Sequence, residues 1–336
     1  MNWLNNGQSV KVPVGNYRIT FSELEGYLTP SPIVVSVIKN QTTNVNNVKY
    51  LPLVNNAWGD RGVFGGGNYG TLIEYVTIST TGNALNFGNL TLMRRYLTSC
   101  SDGIRGIFGG GYVYTASPYN TSRIDYVTIA TTGNAITFGN LTFARAYLAA
   151  CSNETRGLFG GGYNTSRVDY ITITTLGNAI TFGDLKMRRE GSTACSNSTR
   201  GLFGGGHSSN TNMRVSSIDY VTIATTGNAI TFGYLTIARN HLAACSNETR
   251  SLFAGGYNYI SLIEYVTIAT TGNAILFGNL TMNKSYFAGC SNGTRGIFGG
   301  GSGSLIDYVT IATTGDAVNF GNLTVARSEL AACSGN

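Results

Sequence analysis

A seven-residue string, Arg-Gly-Val-Phe-Gly-Gly-Gly at 61–67, returns five more times, and a chain that repeats itself so closely folds by stacking equivalent units. The copies begin at Arg61, Arg105, Arg156, Arg200, Arg250 and Arg295, the fifth carrying Ser251 and Ala254 in place of glycines. Each leads into a run such as Ile124 to Ile129, a Gly-Asn or Gly-Asp turn, a short run such as Ala135 to Phe138, and a segment ending near a Cys-Ser pair, as in Leu148 to Ser152. Four short β-branched or aromatic segments divided by Gly/Asn turns read as four strands per repeat. The 45 glycines, 5 prolines and 11% charged residues agree with an all-β chain, and 42% hydrophobic content excludes disorder. A chain of 336 residues buries roughly 75% of its unfolded surface, so its stability need not depend on disulfides or metals.

The repeat arginines are 44, 51, 44, 50 and 45 residues apart, a spacing that fits propeller blades. The segment between the glycine triplet and the next Ile or Val holds 5, 12, 5, 11, 6 and 4 residues, and subtracting it leaves a constant 39. All length variation therefore sits in one loop. By the same count the sixth copy would reach its next arginine at position 338, beyond Asn336. Leu330 to Ser334 thus read as a first strand without a second, and Arg61 opens a second strand without a first. The expectation is that Leu330 to Ser334 pair with Gly62 to Phe64 and close the ring, which removes exposed edges.

The strand opening after Arg145 and running through Cys151 into Leu158-Phe159-Gly160-Gly161 resembles the kelch-like β-propellers. The resemblance covers Arg61 to Asn336 and implies an all-β, six-bladed propeller with four-stranded blades. Strands are named A to D outward by that analogy, the C-terminal strand closing blade one. The Tyr and Trp usual later in the kelch blade are replaced by Asp-Tyr-Val-Thr-Ile and an Ala-Ile-Thr-Phe-Gly strand. This variant resembles repeats of virion proteins of aquatic bacteriophages, which implies a noncatalytic virion-surface or tail-fibre module for attachment, on the virion or otherwise extracellular. The alternatives are a bacterial extracellular or fibril-forming surface protein and, third, a propeller enzyme.

Residues 1–50 differ in kind. Val10 to Val14, Tyr17 to Phe21, Ile33 to Ile38 and Thr43 to Tyr50 read as strands, with Leu51 to Asp60 as linker to the propeller at 61–336. The string from Val10 to Ile19, with Gly26-Tyr27 and Gln41-Thr42-Thr43, resembles the second half of PEGA-like β-sandwich modules. The resemblance implies missing opening strands and an incomplete sheet edge, so residues 1–50 are expected to dock onto a neighbouring virion or fibre subunit by strand addition. Apolar stretches fall far below the roughly 20 residues that span a bilayer, and Met1 to Asn6 has neither the basic nor the apolar region of a signal peptide.

Most chemical motifs reduce to scaffold. Cys100, Cys151, Cys195, Cys245, Cys290 and Cys333 share one repeat position, which predicts buried free thiols rather than bridges or a metal site. Gly65-x-Gly67-x-x-Gly70 matches the dinucleotide fingerprint, but a strand follows where that fingerprint needs a helix. His207 and His241, the only histidines, do not form the set that copper-radical oxidases of kelch architecture require, and no catalytic constellation stands out. No cofactor and no metal is expected. The net charge of +6 includes six arginines opening strand B and cations at Arg94, Arg145, Arg189, Arg239, Lys284 and Arg327. Acids repeat at Glu74, Asp125, Asp169, Asp219, Glu264 and Asp307, so structural ion pairs are favoured over nucleic-acid binding. Asn-x-Ser/Thr occurs twelve times, mostly in repeat turns where Asn suits the turn.

Variable loops on a rigid scaffold are where recognition resides. The B-to-C loops hold Tyr69, Tyr112, Tyr114, Tyr119, Tyr163, His207, Tyr257 and Tyr259, together with several asparagines. Tyrosine gives area at low entropic cost and amides give hydrogen bonds, so a host-surface glycan or protein is the expected partner, led by the loops Tyr112 to Arg123 and His207 to Ser217. The bland alternative is that these loops only cap the blades.

Overall fold

The computed structural model describes residues 13–19, 27–28, 33–39, 51–52, 59–68, 70–114, 119–257, 260–301 and 303–335. The chain divides into two units, Met1–Asn55 and Asn56–Asn336. In the first, Gly15–Ile19 pairs antiparallel with Ile33–Val37, and Tyr27–Leu28 with Leu51–Pro52. Leu51–Pro52 therefore belongs to a strand pair rather than to a linker, and Pro13 and Val14 precede the first strand instead of forming one. The expected strand Thr43 to Tyr50 lies outside the described residues, as do positions 10–12 and 20–21.

The second unit is propeller-like: four-stranded antiparallel sheets, with no helix among the described residues. Sheet 1 runs Ala331–Gly335, Arg61–Gly65, Leu72–Thr77, Leu85–Asn89 from strand A to strand D; sheet 2 runs Thr98–Ser101, Arg105–Gly109, Arg123–Thr128, Ile136–Asn140. Sheet 3 comprises Ala149–Ser152, Arg156–Gly160, Arg167–Thr172 and Ile180–Asp184, and sheet 4 comprises Thr193–Ser196, Arg200–Gly204, Ser217–Thr222 and Ile230–Tyr234. Sheet 5 holds Ala243–Ser246, Arg250–Ala254, Leu262–Thr267 and Ile275–Asn279; sheet 6 holds Phe287–Ser291, Arg295–Gly300, Leu305–Thr310 and Val318–Asn322. The C-terminal strand joins sheet 1 with Ala332 opposite Phe64, Cys333 opposite Val63 and Ser334 opposite Gly62, the pairing expected from the count. Strands A touch in the order of sheets 1 to 6, and that of sheet 6 touches that of sheet 1.

Packing between sheets uses the glycines of strand B. Phe108, Phe159, Phe203, Phe253 and Phe64 lie over Gly65, Gly109, Gly160, Gly204 and Gly299 of the neighbouring sheet, so close that a Cβ would stand 2.5–2.8 Å from each ring. These Phe side chains and the Ile or Leu just before them in sheets 2 to 5 are wholly buried. The outer edges are also covered. Each Gly-Asn or Gly-Asp turn after strand C lies on strand D of the preceding sheet, where the Asn or Asp side chain accepts from a strand D amide at 2.8–3.1 Å. Amides beside that turn donate to the same strand, as Gly133 does to Phe87 and Ala135 to Asn89. The edge groups that would template aggregation are thereby paired.

Candidate functional site

Strand B ends in two glycines of positive φ, as at Gly66 (71°) and Gly67 (87°), a conformation glycine adopts freely. The second glycine donates its amide to the carbonyl of Arg94, Arg145, Arg189, Arg239, Lys284 or Arg327, at 2.8–3.1 Å. The B-to-C loops and the segments that enter strand A therefore share one face.

Those six cations are buried, and each reaches a strand C acid: Asp125, Asp169, Asp219, Glu264, Asp307 and Glu74 in turn. The distances are 2.6–3.1 Å apart from the closer Arg189 to Asp219 pair. Most clamps also donate to strand B or C carbonyls; Arg94, for example, donates to Phe108 and Arg123. Thr91, from the end of sheet 1, donates to Asp125 of sheet 2, so the clamp ties one sheet to the next. Burial pushes the Arg94 guanidinium down to about 10 and Asp125 opposes this, which leaves it charged at neutral pH. The strand B arginines form a second set. Each lies 4.5–5.1 Å over a strand C tyrosine and donates to a carbonyl of the next sheet, as Arg61 does over Tyr75 and to Ile129. The repeated charges are scaffold, as the sequence suggested.

Two residues past each clamp cation the repeat changes character. Tyr96, Tyr147, Gly191, His241, Tyr286 and Glu329 occupy this position, all with φ between 54° and 64°. Their backbones form a closed cycle: Tyr147 N–H donates to Tyr96 O, Gly191 to Tyr147, His241 to Gly191, Tyr286 to His241, Glu329 to Tyr286 and Tyr96 to Glu329, at 2.7–3.0 Å. The side chains meet on the axis. Tyr96 stacks on Tyr147 with centroids 3.9 Å apart, His241 stacks on Tyr286 at 4.0 Å, and Tyr96 comes within 6.5 Å of His241 from the opposite side. The Tyr96 hydroxyl hydrogen-bonds Glu329 and Tyr147, and burial with these bonds pushes the phenol up. Arg95 pairs with Glu329 at 3.3 Å and lies 4.9 Å over the Tyr96 ring and 5.3 Å over Tyr112. Burial holds His241 down to about 4, with His207 and Arg214 adding to the effect, so its ring is neutral at physiological pH.

Below this axial mouth lies a cavity of about 110 Å³ lined by Leu97, Leu148, Ser192, Leu242, Phe287 and Leu330 among others, and a second of about 100 Å³ reaches the Cys-Ser ends of strand A. Both are smaller than the ~300 Å³ of ordinary ligand pockets. At the far end a second closed cycle runs through serine hydroxyls: Ser152 donates to Ser101 O, Ser196 to Ser152, Ser246 to Ser196, Ser291 to Ser246, Ser334 to Ser291 and Ser101 to Ser334, at 2.6–2.7 Å. The six cysteines beside them are free and buried.

The loop residues singled out by sequence divide into groups. Tyr112 stands beside Arg95 and stacks on Tyr119 at 5.6 Å, Tyr257 meets Tyr286 edge-on at 6.2 Å, and His207 lies 3.8 Å from Glu190. These adjoin the mouth. Tyr114 and Tyr163 are 70% and 64% exposed, the Tyr163 amide donating to Ala146, and Tyr69 and Tyr259 lie outside the described residues. The loop His207 to Ser217 builds a small sheet of its own, with Arg189–Glu190 paired to His207–Ser208 and the latter to Met213–Arg214. Sequence reasoning missed Tyr96, Tyr147, Tyr286 and Glu329. The available signal was that the positions four and five before each repeat cysteine change residue type among the repeats while the cation before them hardly does. Four of the sequon asparagines, Asn153, Asn197, Asn247 and Asn292, use the side-chain oxygen in their own turn and donate the amide to the next sheet. A search against models of known protein families finds no match to this chain, and no curated protein matches it.

Proposed function

We propose that residues 56–336 are a six-bladed kelch-like β-propeller serving as a noncatalytic attachment module on a virion surface or tail fibre. The observation that carries this reading is a contrast between positions. Clamp cations, strand B glycines and cysteines hold one residue type in nearly every repeat and the strand C acids hold one charge, whereas the axial residues and the B-to-C loops differ from sheet to sheet on a single face. A scaffold held constant beneath a varied face is the pattern of recognition. The two six-membered hydrogen-bond cycles support the blade count. The virion setting follows from the resemblance of the repeats, and residues 1–50 would join the module to a neighbouring virion or fibre subunit. A host-surface glycan or protein is the partner; no nucleic acid, cofactor or membrane insertion enters this reading.

The test is adsorption of the labelled full chain to a panel of aquatic bacterial isolates, beside a chain in which loops 112–123 and 207–217 are shortened to the length of their neighbours. Binding to at least one isolate, weakened about tenfold or more by shortening (~1.4 kcal/mol), is the expected result. Adsorption to none, or equal adsorption by both chains, would overturn it.

A further inference from the structure

The axial position is costly to build as it stands. Five residues with a Cβ sit in the left-handed region, where a glycine such as Gly191 would be unstrained. Strain kept at one position of a repeat, and there combined with unlike side chains, points to use. We propose that the mouth binds a single neutral pyranose, stacked on the faces of Tyr147 and Tyr286 turned away from Tyr96 and His241, with vicinal hydroxyls on Glu329 and Arg95. This rests on the recognition reading above and names its ligand.

Three features select that chemistry. The aromatic faces carry negative electrostatic potential and attract the weakly positive C–H face of a sugar ring. Arg95 and Glu329 stand side by side at 3.3 Å, a donor next to an acceptor, which suits two adjacent hydroxyls. Their charges offset each other, His241 is neutral, and the nearby Arg214 and Glu190 are of opposite sign, so the mouth carries no net charge to favour a charged ligand.

The sixth position supports the same class. Gly191 contributes no side chain, and the His241 ring lies over it, 2.7 Å from where a Cβ would stand. Beside it Glu190 Oε2 and Asn240 Oδ1, both acceptors, have no hydrogen-bond partner among the described residues. A ligand rich in hydroxyls supplies the missing donors.

Saturation-transfer NMR on the full chain, with a panel of neutral hexoses and N-acetylhexosamines and with sialic acid as the anionic comparison, tests the site. At least one neutral sugar should receive saturation and sialic acid should not. Glu329→Gln and Tyr286→Leu should each weaken the binding about tenfold while melting temperature shows that both variants remain folded. Absence of binding by every neutral sugar, or affinity unchanged in both variants, would overturn the proposal. Adsorption to cells that is lost with the shortened loops but kept by both mouth variants would likewise overturn it, while leaving the attachment reading standing; adsorption to no isolate would sink that reading itself.

Discussion

Cys100 stands where a Cβ on Gly157 would be, 2.8 Å from the sulfur, and Cys333 stands likewise over Gly106 at 2.9 Å. The glycine after each strand B arginine thus makes room for the thiol of the preceding sheet, Ser251 opposite Cys195 being the exception. Burial pushes the thiols up, Cys195 and Cys333 to about 12, so they remain protonated small hydrophobes. His241 is the residue whose burial has a consequence near neutral pH. Its folded value of about 4 lies below the ordinary 6.5, so the unfolded chain takes up the proton first as pH falls. The stability it contributes is whole above about pH 6.5 and is lost toward pH 4, about 1–3 kcal/mol in all. Melting temperature should therefore drop more steeply between pH 7 and 4 in the native chain than in His241→Phe; equal slopes would contradict the assignment. The thiols were legible in the sequence because one residue type recurs at fixed spacing. The axial residues were not, because a repeat is recognised by what stays constant and these six are joined only by φ and by a backbone cycle.

Between neighbouring sheets the Phe-on-Gly contact has one altered copy. Ala254 replaces glycine in strand B of sheet 5, and the facing sheet 6 alone carries Gly289 in strand A where the others have Ala or Ser. A Cβ on Gly289 would stand 3.0 Å from the Phe298 ring and 2.7 Å from the Ala244 carbonyl. The two departures share Phe298, which packs in one core cluster with Ala254. Gly289→Ala should cost about 1–3 kcal/mol by overpacking, and adding Ala254→Gly should recover part of the loss. Denaturant melts of the two single variants and the double variant measure the coupling, and strict additivity would contradict it. At this scale the sequence was informative where strands are long enough to alternate. It was silent on the sheet of Arg189–Glu190, His207–Ser208 and Met213–Arg214, whose two-residue strands have no period to read. The clamps were legible only as two repeating charges, since an ion pair between the segment entering strand A and strand C has no signature in local spacing.

For the second unit as a whole, counting residues was enough to place the last strand beside the first repeat arginine, because 39 of the residues in every repeat are fixed. That strand supplies a member of both hydrogen-bond cycles' neighbourhood: Ser334 in the far cycle and, just before it, Glu329 in the axial one. Deleting residues 329–336 should leave Arg61–Gly65 as an open edge, open both cycles and produce aggregates in light scattering. A monodisperse truncated chain with unchanged melting temperature would contradict that role. What counting could not give is the convergence of six unlike residues on the axis, which exists only once strands from every sheet meet. The central claim is that this convergence is the recognition site. A crystal structure of the full chain grown with the tightest-binding neutral sugar tests it most directly: the account predicts the ring against Tyr147 and Tyr286 with hydroxyls on Glu329 and Arg95, and a sugar seated instead at Tyr114 or at the serine end of the channel would contradict it.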